Sequence, residues 1–236
     1  VYTESLRIQN FEKLKQVLEQ VLDVQIWKNF LKCVEAAGFV SKSLISSENA
    51  LVYSYVMYLF GKFHYGMSES ALRKLIAKWF FMAAVTGYYT GSPETDMESD
   101  LADLRNVKTE KAFVALLEKK IASVFTGDYF AITLPNSLAN SAPRNPSWFG
   151  YCAALNVLDA KVLFSTLHIR ELFSPTADGK KKALEKHHLF PKAYLARIGI
   201  ADDRDRNQMA NFAFIEWSDN IEVLDTSPAE YMKDQL

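Results

Sequence analysis

Hydrophobic positions in the first half of the chain recur at three- and four-residue intervals, the period of an α-helix. In residues 5–22, Leu6, Phe11, Leu14, Val17, Leu18, Val21 and Leu22 fall on one helical face, with charges opposite. The same periodicity predicts helices near 25–37, 47–64, 69–88, 96–105 and 108–124. Ser68 and Ser70 mark the start of 69–88, because a short hydroxyl side chain satisfies amides that a helix start leaves bare. Pro93-Glu94-Thr95 leads into 96–105, and stops fall near Gly87 and at Gly91. Residues 126–147 hold three of the seven prolines among several Asn and Ser, which predicts a loop or boundary rather than a packed element. Ser147 then caps an apolar helix expected over roughly 148–168, ending near His168.

The pattern changes in the last quarter of the chain. Leu184–Leu189 and Asn211–Trp217 are short, aromatic and aliphatic, and partly alternating, so each reads as a strand. Asp219 and Glu222 stand in capping-box spacing and predict a helix start at 218–222. The connection between the strands holds Gly199 and the charged run Asp202–Arg206. The fold class is therefore α+β and mostly helical, ordered helices first, then strand, connection, strand, helix.

At 236 residues the chain holds one large domain or two small ones, and 49% hydrophobic content places it among globular proteins. A formal charge of −1 excludes a global positive field, so any contact with phosphate must be local. Cys33 and Cys152 each sit in an apolar helical stretch and read as buried thiols of a reducing, cytoplasmic compartment rather than a disulfide. The longest apolar run, Trp79–Val85, is far too short to span a bilayer, so no membrane is expected as a partner. The polar start lacks the apolar segment of a signal peptide, and Val1 in place of Met gives the expectation of a fragment or processed form.

Candidate chemistry concentrates in Glu185-Lys186-His187-His188-Leu189-Phe190-Pro191. Hydrolysing a phosphodiester needs a base for water and a cation for the charge that builds on phosphate. Histidine supplies a base near neutrality and also a metal ligand. Neighbouring side chains on a strand point to opposite faces, so His187 and His188 cannot share one task unless the strand ends there. Pro191, which lacks an N–H for the ladder, is a reason for it to end. Lys180, Lys181, Lys182, Lys186, Lys192 and Arg197 form the strongest local basic cluster, with Glu185 the only acid in 180–197. His64 and His168 stand in apolar stretches without metal-type neighbours and read as structural.

The pattern E-x-H-H-x-x-P, then Asn211 and a second Asn nine positions on at a helix start, resembles the HNH or His-Me finger nuclease motif. More closely, HHLFPKAYL followed by MANFAFIEWSDNIEVLDTSPAEY is similar to the C-terminal nuclease domain of GmrSD-type restriction endonucleases. GYYTGSPETDMESDL (87–101) and ALNVLDAKVLF (154–164) resemble the helical region preceding that domain. The resemblance implies a helical domain at 1–145 and a nuclease domain at 146–236, with a ββα-metal finger at 184–232. It implies His188 as general base, His187 and Asn220 as metal ligands, Asn211 as the brace of the loop between the strands, and Glu185 as an acidic partner. Pro228 and Tyr231 match a trailing structural P-x-x-Y. With two protein ligands, water and substrate phosphate would complete the shell of Mg²⁺, Mn²⁺ or another divalent cation. Lys181, Lys182, Lys186, Lys192 and Arg197 become candidate DNA contacts. The family further implies phage defence against foreign, modified DNA and an NTP-binding domain upstream of this chain.

Three other readings carry less. A closed zinc site needs four clustered Cys or His, and neither cysteine stands near the tandem histidines. Gly61-Lys-Phe-His-Tyr-Gly66 is followed by Met67-Ser68 and lacks the P-loop lysine. A catalytically inactive module with a nuclease-like fold, binding DNA or a partner, remains the alternative.

Overall fold

The computed structural model describes residues 4–140, 142, 145–173 and 184–235. Its first half is the expected succession of helices: α1 (Glu4–Val21), α2 (Val24–Ala36), α3 (Glu48–Leu59), α4 (Glu69–Thr86), α5 (Pro93–Leu104) and α6 (Glu110–Val124). Side-chain caps explain their starts. Asp23, Ser47, Ser68 and Thr109 each accept a bond from a first-turn amide of α2, α3, α4 and α6. Gly87, at φ +66°, closes α4 in the left-handed conformation that costs glycine nothing. α4 is the central element: Leu72, Ile76, Trp79, Phe80, Met82 and Ala83 are fully buried against α2, α3, α6 and α8 (Pro146–Val157).

α1 forms where the periodicity placed it, but its apolar face stays exposed, with Phe11, Leu14 and Val17 each about half accessible. Its end is fixed by Tyr55, whose hydroxyl donates to the Val21 carbonyl at 3.0 Å. Within 126–147, expected as a loop or boundary, the described residues 129–138 are a correction: a π-helical turn (129–133) runs into α7 (Leu134–Leu138). Pro135 lies in the first turn of α7, where the missing N–H leaves nothing unpaired. Phe125, Tyr129 and Phe130 cluster at 5.0–5.7 Å and, with Leu134 and Leu138, face Phe81 and Tyr151 across an apolar cavity of about 290 Å³.

The helix expected to reach His168 stops at Val157. Asp159 turns the chain at φ +52°, and Ala160 N–H bonds back to the Leu155 carbonyl. Residues 160–169 then fold on themselves, with Lys161 bridging His168, and Leu163 N–H donates to Phe214 O at 2.8 Å beside the second strand. Of the apolar residues that looked like one helix face, Val162 is buried and Leu163 and Phe164 are partly buried against neighbouring clusters, while Leu158 is exposed. α9 (Ile169–Leu172) follows.

Strand β1 (Leu184–His188) pairs antiparallel with β2 (Phe212–Glu216), in a register that sets His188 opposite Phe212 and His187 opposite Ala213. Between them lie α10 (Lys192–Arg197) and α11 (Asp203–Arg206); α12 (Trp217–Val223) and α13 (Pro228–Gln235) complete the chain. β2 runs straight into α12 at Glu216, so the helix starts before the expected Asp219 capping box. Ser165 donates a hydroxyl bond to Glu216 at this junction.

α8 reaches across residue 145 to pack on α4 and joins both halves of the chain in one continuous hydrophobic core that includes Trp148, Met209 and Phe212. The approach is close enough to demand glycine on both sides. A Cβ on Gly150 would lie 2.7 Å from Val85 Cγ2, and one on Gly38 would lie 2.1 Å from the Ala153 carbonyl oxygen. Asn156 Nδ2 donates to the Gly38 carbonyl at 2.7 Å and fixes the contact. Cys33 and Cys152 are free, and desolvation pushes each thiol up to about 12. Among the described residues no helix is long and apolar enough to cross a membrane.

The close approach predicts that Gly38→Ala, which meets backbone at a φ of +89°, costs at least about 2 kcal/mol in urea unfolding. Gly66→Ala has open space at φ +65° and should cost about 1 kcal/mol. Equal losses in the two variants would contradict the packing account.

Candidate active site

The strand alternation separates the two histidines. Lys186 and His188 share one face of β1 with Phe212 and Phe214 of β2: the His188 and Phe212 rings lie 4.8 Å apart, and Lys186 Nζ sits 4.7 Å over Trp148 and 5.9 Å over Phe212. His187 points the other way, toward α12 and α13, where Tyr231 meets it edge-on at 5.9 Å.

Each histidine has an asparagine. His187 Nδ1 lies 2.8 Å from Asn220 Oδ1, and His188 Nε2 lies 3.0 Å from Asn207 Oδ1. An amide oxygen only accepts, so a neutral His187 carries its proton on Nδ1 and a neutral His188 on Nε2. His187 is 5% exposed, and its Nε2 is buried with no hydrogen-bond partner among the described residues. Desolvation lowers both histidines below their usual 6.5, only partly offset by the asparagine bonds. The neighbouring His188 lowers His187 further, and the Lys192 charge does the same to His188.

Asn211 holds the turn that ends β1. Its Oδ1 accepts from Phe190 N–H at 2.8 Å, while Nδ2 donates to the Phe190 carbonyl at 2.9 Å and the Arg206 carbonyl at 3.2 Å. Its own carbonyl accepts from Leu189 N–H at 2.8 Å. This one side chain thus ties the end of β1 to the residue preceding Asn207. Tyr231 adds a bond from its hydroxyl to the Leu189 carbonyl at 2.6 Å, and α13 starts at Pro228. Arg206 donates to Asp203 at 2.7 Å and to the Lys192 carbonyl at 3.5 Å, linking α11 to α10.

The structure therefore pairs His187 with Asn220 on one face of β1 and His188 with Asn207 on the other, with Asn211 at the strand end between them. Lys186 is exposed on the His188 face, and Lys192 opens α10 beside it. Arg197 is engaged elsewhere: it donates to Asp225 Oδ2 and to the Asp225 carbonyl, each at 2.7 Å. Lys180, Lys181, Lys182 and the side chain of Glu185 lie outside the described residues. Sequence reasoning missed Asn207, the partner of His188. Its one signal was its place four residues before Asn211, and the adjacent charged run masked it. His168 sits in a bridge to Lys161 just before α9 rather than in a helix, its Nδ1 3.1 Å from Asp159. His64 stacks edge-on against Tyr65 at 4.7 Å.

His187 and Asn220 offer an imidazole nitrogen and an amide oxygen, donor types that a divalent ion accepts, but the 2.8 Å between them is a hydrogen bond whose proton an ion would have to displace. Among the described residues no group of three His, Cys, Asp or Glu adds to this pair. Water and a bound anion would fill the remaining positions, which Mg²⁺ accepts more readily than zinc.

No protein-family model matches the chain, and comparisons with curated proteins and with solved structures find no match. The functional reading rests on the residues and their geometry.

Because burial lowers both histidines in the folded chain below the usual 6.5, the unfolded chain binds more protons than the folded one as pH falls through that value. Folding stability should therefore be at its plateau above that value and decline beneath it. Urea midpoints at about pH 7.5 and about pH 5.5 test this. The His187→Gln/His188→Gln double variant should show a smaller drop than wild type, and equal drops would contradict the assignment. Glu69 and Glu230, also shifted, are lowered carboxylates whose window lies below 4.5, outside this interval.

Proposed function

We propose that this chain is a metal-dependent DNA endonuclease whose residues 184–232 form a ββα-metal finger of the HNH or His-Me type. The observation that carries the reading is the pair of adjacent histidines on opposite faces of a strand end, each paired with its own asparagine, with Asn211 pinning the turn between. In this reading residues 1–145 are the helical domain and 146–236 the nuclease domain of a GmrSD-like protein of cytoplasmic phage defence. Selectivity for modified DNA and an NTP-binding domain upstream belong to the same proposal.

His188 is the general base. Donating Nε2–H to Asn207 leaves Nδ1 as the basic nitrogen, and burial keeps the ring in its unprotonated form at neutral pH. It takes a proton from the water that attacks phosphorus in line. Phe212 holds the ring from one side, and Asn211 fixes the turn that sets its position relative to Asn207. His187 and Asn220 would hold a Mg²⁺ or Mn²⁺ ion, which would supply positive charge to the phosphate and the leaving oxygen. Binding there would need the Nδ1 lone pair, with the His187 proton carried instead on the buried Nε2. Glu185 is assigned as an acidic partner of the site. Lys181, Lys182, Lys186 and Lys192 contact DNA backbone, and Arg197 steadies α10 through Asp225.

One observation favours the alternative of an inactive binding module: His187 and Asn220 satisfy each other, and the described residues add no third ligand. Plasmid nicking separates the two readings. Wild type should cut with Mg²⁺ or Mn²⁺ and not with EDTA, and His188→Ala should lose ~10²–10⁴ in rate while keeping its fold. His187→Ala and Asn220→Ala should need at least ~10-fold more metal for half-maximal rate. Cutting that persists in His188→Ala with EDTA present would remove the nuclease mechanism, and bound but uncut DNA would establish the module.

A further inference from the structure

A second concentration of positive charge lies outside the histidine site. Lys32, Glu35 and Ala36 of α2, Arg73 of α4 and Arg170 of α9 line an open cleft of about 490 Å³. Three cations converge on it against one carboxylate in its lining, in a chain whose net charge is −1. Glu35 does little to neutralise them. Its carboxylate is 3.8 Å from Arg170, and both side chains are about half exposed, so water screens the pair. Lys32 donates to Asn29 at 3.3 Å, and among the described residues neither Lys32 nor Arg73 forms an ion pair. Glu69, the other carboxylate close enough to feel Lys32, is already held by Lys62 and Tyr58.

Such an arrangement is self-repelling while empty and is relieved by an anion. Two guanidinium groups suit a tetrahedral phosphate, whose oxygens accept their forked N–H pairs. The location bears on which phosphate it is. Phe173, directly after α9, packs edge-on against Phe214 at 5.7 Å, on the strand-pair face that carries Lys186 and His188. Phe173 thus links α9, which carries Arg170, to the strand pair.

We infer that the cleft between α2, α4 and α9 binds backbone phosphates of the nucleic acid, at a contact point that shares no residue with the histidine site. The inference rests on the nuclease reading and extends it to how the helical half takes part in holding DNA. A phosphodiester backbone laid across both points would meet Lys186 on the strand face and Arg170, Arg73 and Lys32 on the helical side. Arg170 is the bridge, since α9 belongs to the segment that packs on β2 while its side chain faces α2.

Fluorescence anisotropy with a labelled DNA duplex in EDTA tests binding apart from cutting. Arg73→Glu/Arg170→Glu should weaken binding by about tenfold or more and reduce the slope of log affinity against log salt by about two. Arg73→Gln/Arg170→Gln should fall between that variant and wild type, with far-UV circular dichroism confirming that each is folded. Lys13→Glu/Lys15→Glu, an equal charge change on exposed α1, should stay within about twofold of wild type. Equal slopes in the cleft and α1 variants would overturn the inference, as would a wild type that fails to bind duplex. Inorganic phosphate and polyglutamate serve as competitors. If either binds wild type and loses binding in the cleft variants while duplex does not, the cleft serves a free phosphate or an acidic polypeptide and the inference falls. A wild type that binds through the cleft but never nicks with Mg²⁺ would retain the cleft and remove the nuclease reading. An Arg73→Glu/Arg170→Glu variant that binds and nicks like wild type would remove the cleft and retain the nuclease reading.

Discussion

The bond from the Tyr151 hydroxyl to the Phe212 carbonyl, 3.1 Å long, joins helix α8 to the strand pair that carries the candidate site. Two strands of five residues bury too little apolar surface to stand alone in water. They need a platform, and α8 provides it. Trp148 lies 5.9–6.0 Å from the rings of Phe212 and Phe214 and carries Lys186 over its own ring. α8 in turn is set against α4 through Gly150 and against the 38–39 turn through Gly38, where no side chain fits. Site geometry therefore depends on a helix-to-helix contact in the other half of the chain. The hairpin at 160–169 adds a third extended segment through Leu163, and Ile215, Val223 and Tyr231 close the opposite face.

Within that frame the site is organised by amide side chains rather than by charge. A carboxylate beside either imidazole would draw its proton affinity upward. Asn220 and Asn207 instead select a tautomer at each ring while burial keeps both rings neutral. Asn211 uses its whole amide on backbone, as donor twice and acceptor once, so a shift of the strand end would break three hydrogen bonds at once. The arrangement gives the two histidines different surroundings although they are neighbours in sequence: one looks into α12 and α13, the other toward Phe212 and the helical core.

Much of this was legible in sequence because it is local. Ser68 starts a helix where its hydroxyl predicts, and β1 and β2 fall within a residue or two of the expected spans. The placement of Asn211 and Asn220 near the strand end was what the resemblance to the HNH motif implied. What failed was non-local. The apolar residues of 158–168 looked helical because periodicity does not reveal that Leu163 pairs with a strand some fifty residues later. The Pro- and Asn-rich stretch after Phe125 looked like a loop, yet aromatic packing onto α8 and a proline in a first turn make it helical. Asn207 was hidden since its meaning lies in a contact with His188 across nineteen residues, and nothing in its immediate neighbours signals that contact. The α1 face was legible as amphipathic, but amphipathicity alone did not say whether it would be covered.

The central claim is that the two histidines differ in tautomer and in task. Imidazole ¹⁵N NMR on the labelled chain near neutral pH reads this directly, with single His→Gln variants to assign the two rings. The account predicts His187 protonated on Nδ1 and His188 on Nε2 without metal, and titration with Mg²⁺ or Mn²⁺ perturbing His187 first. The same tautomer at both rings, or a metal response centred on His188, would contradict it.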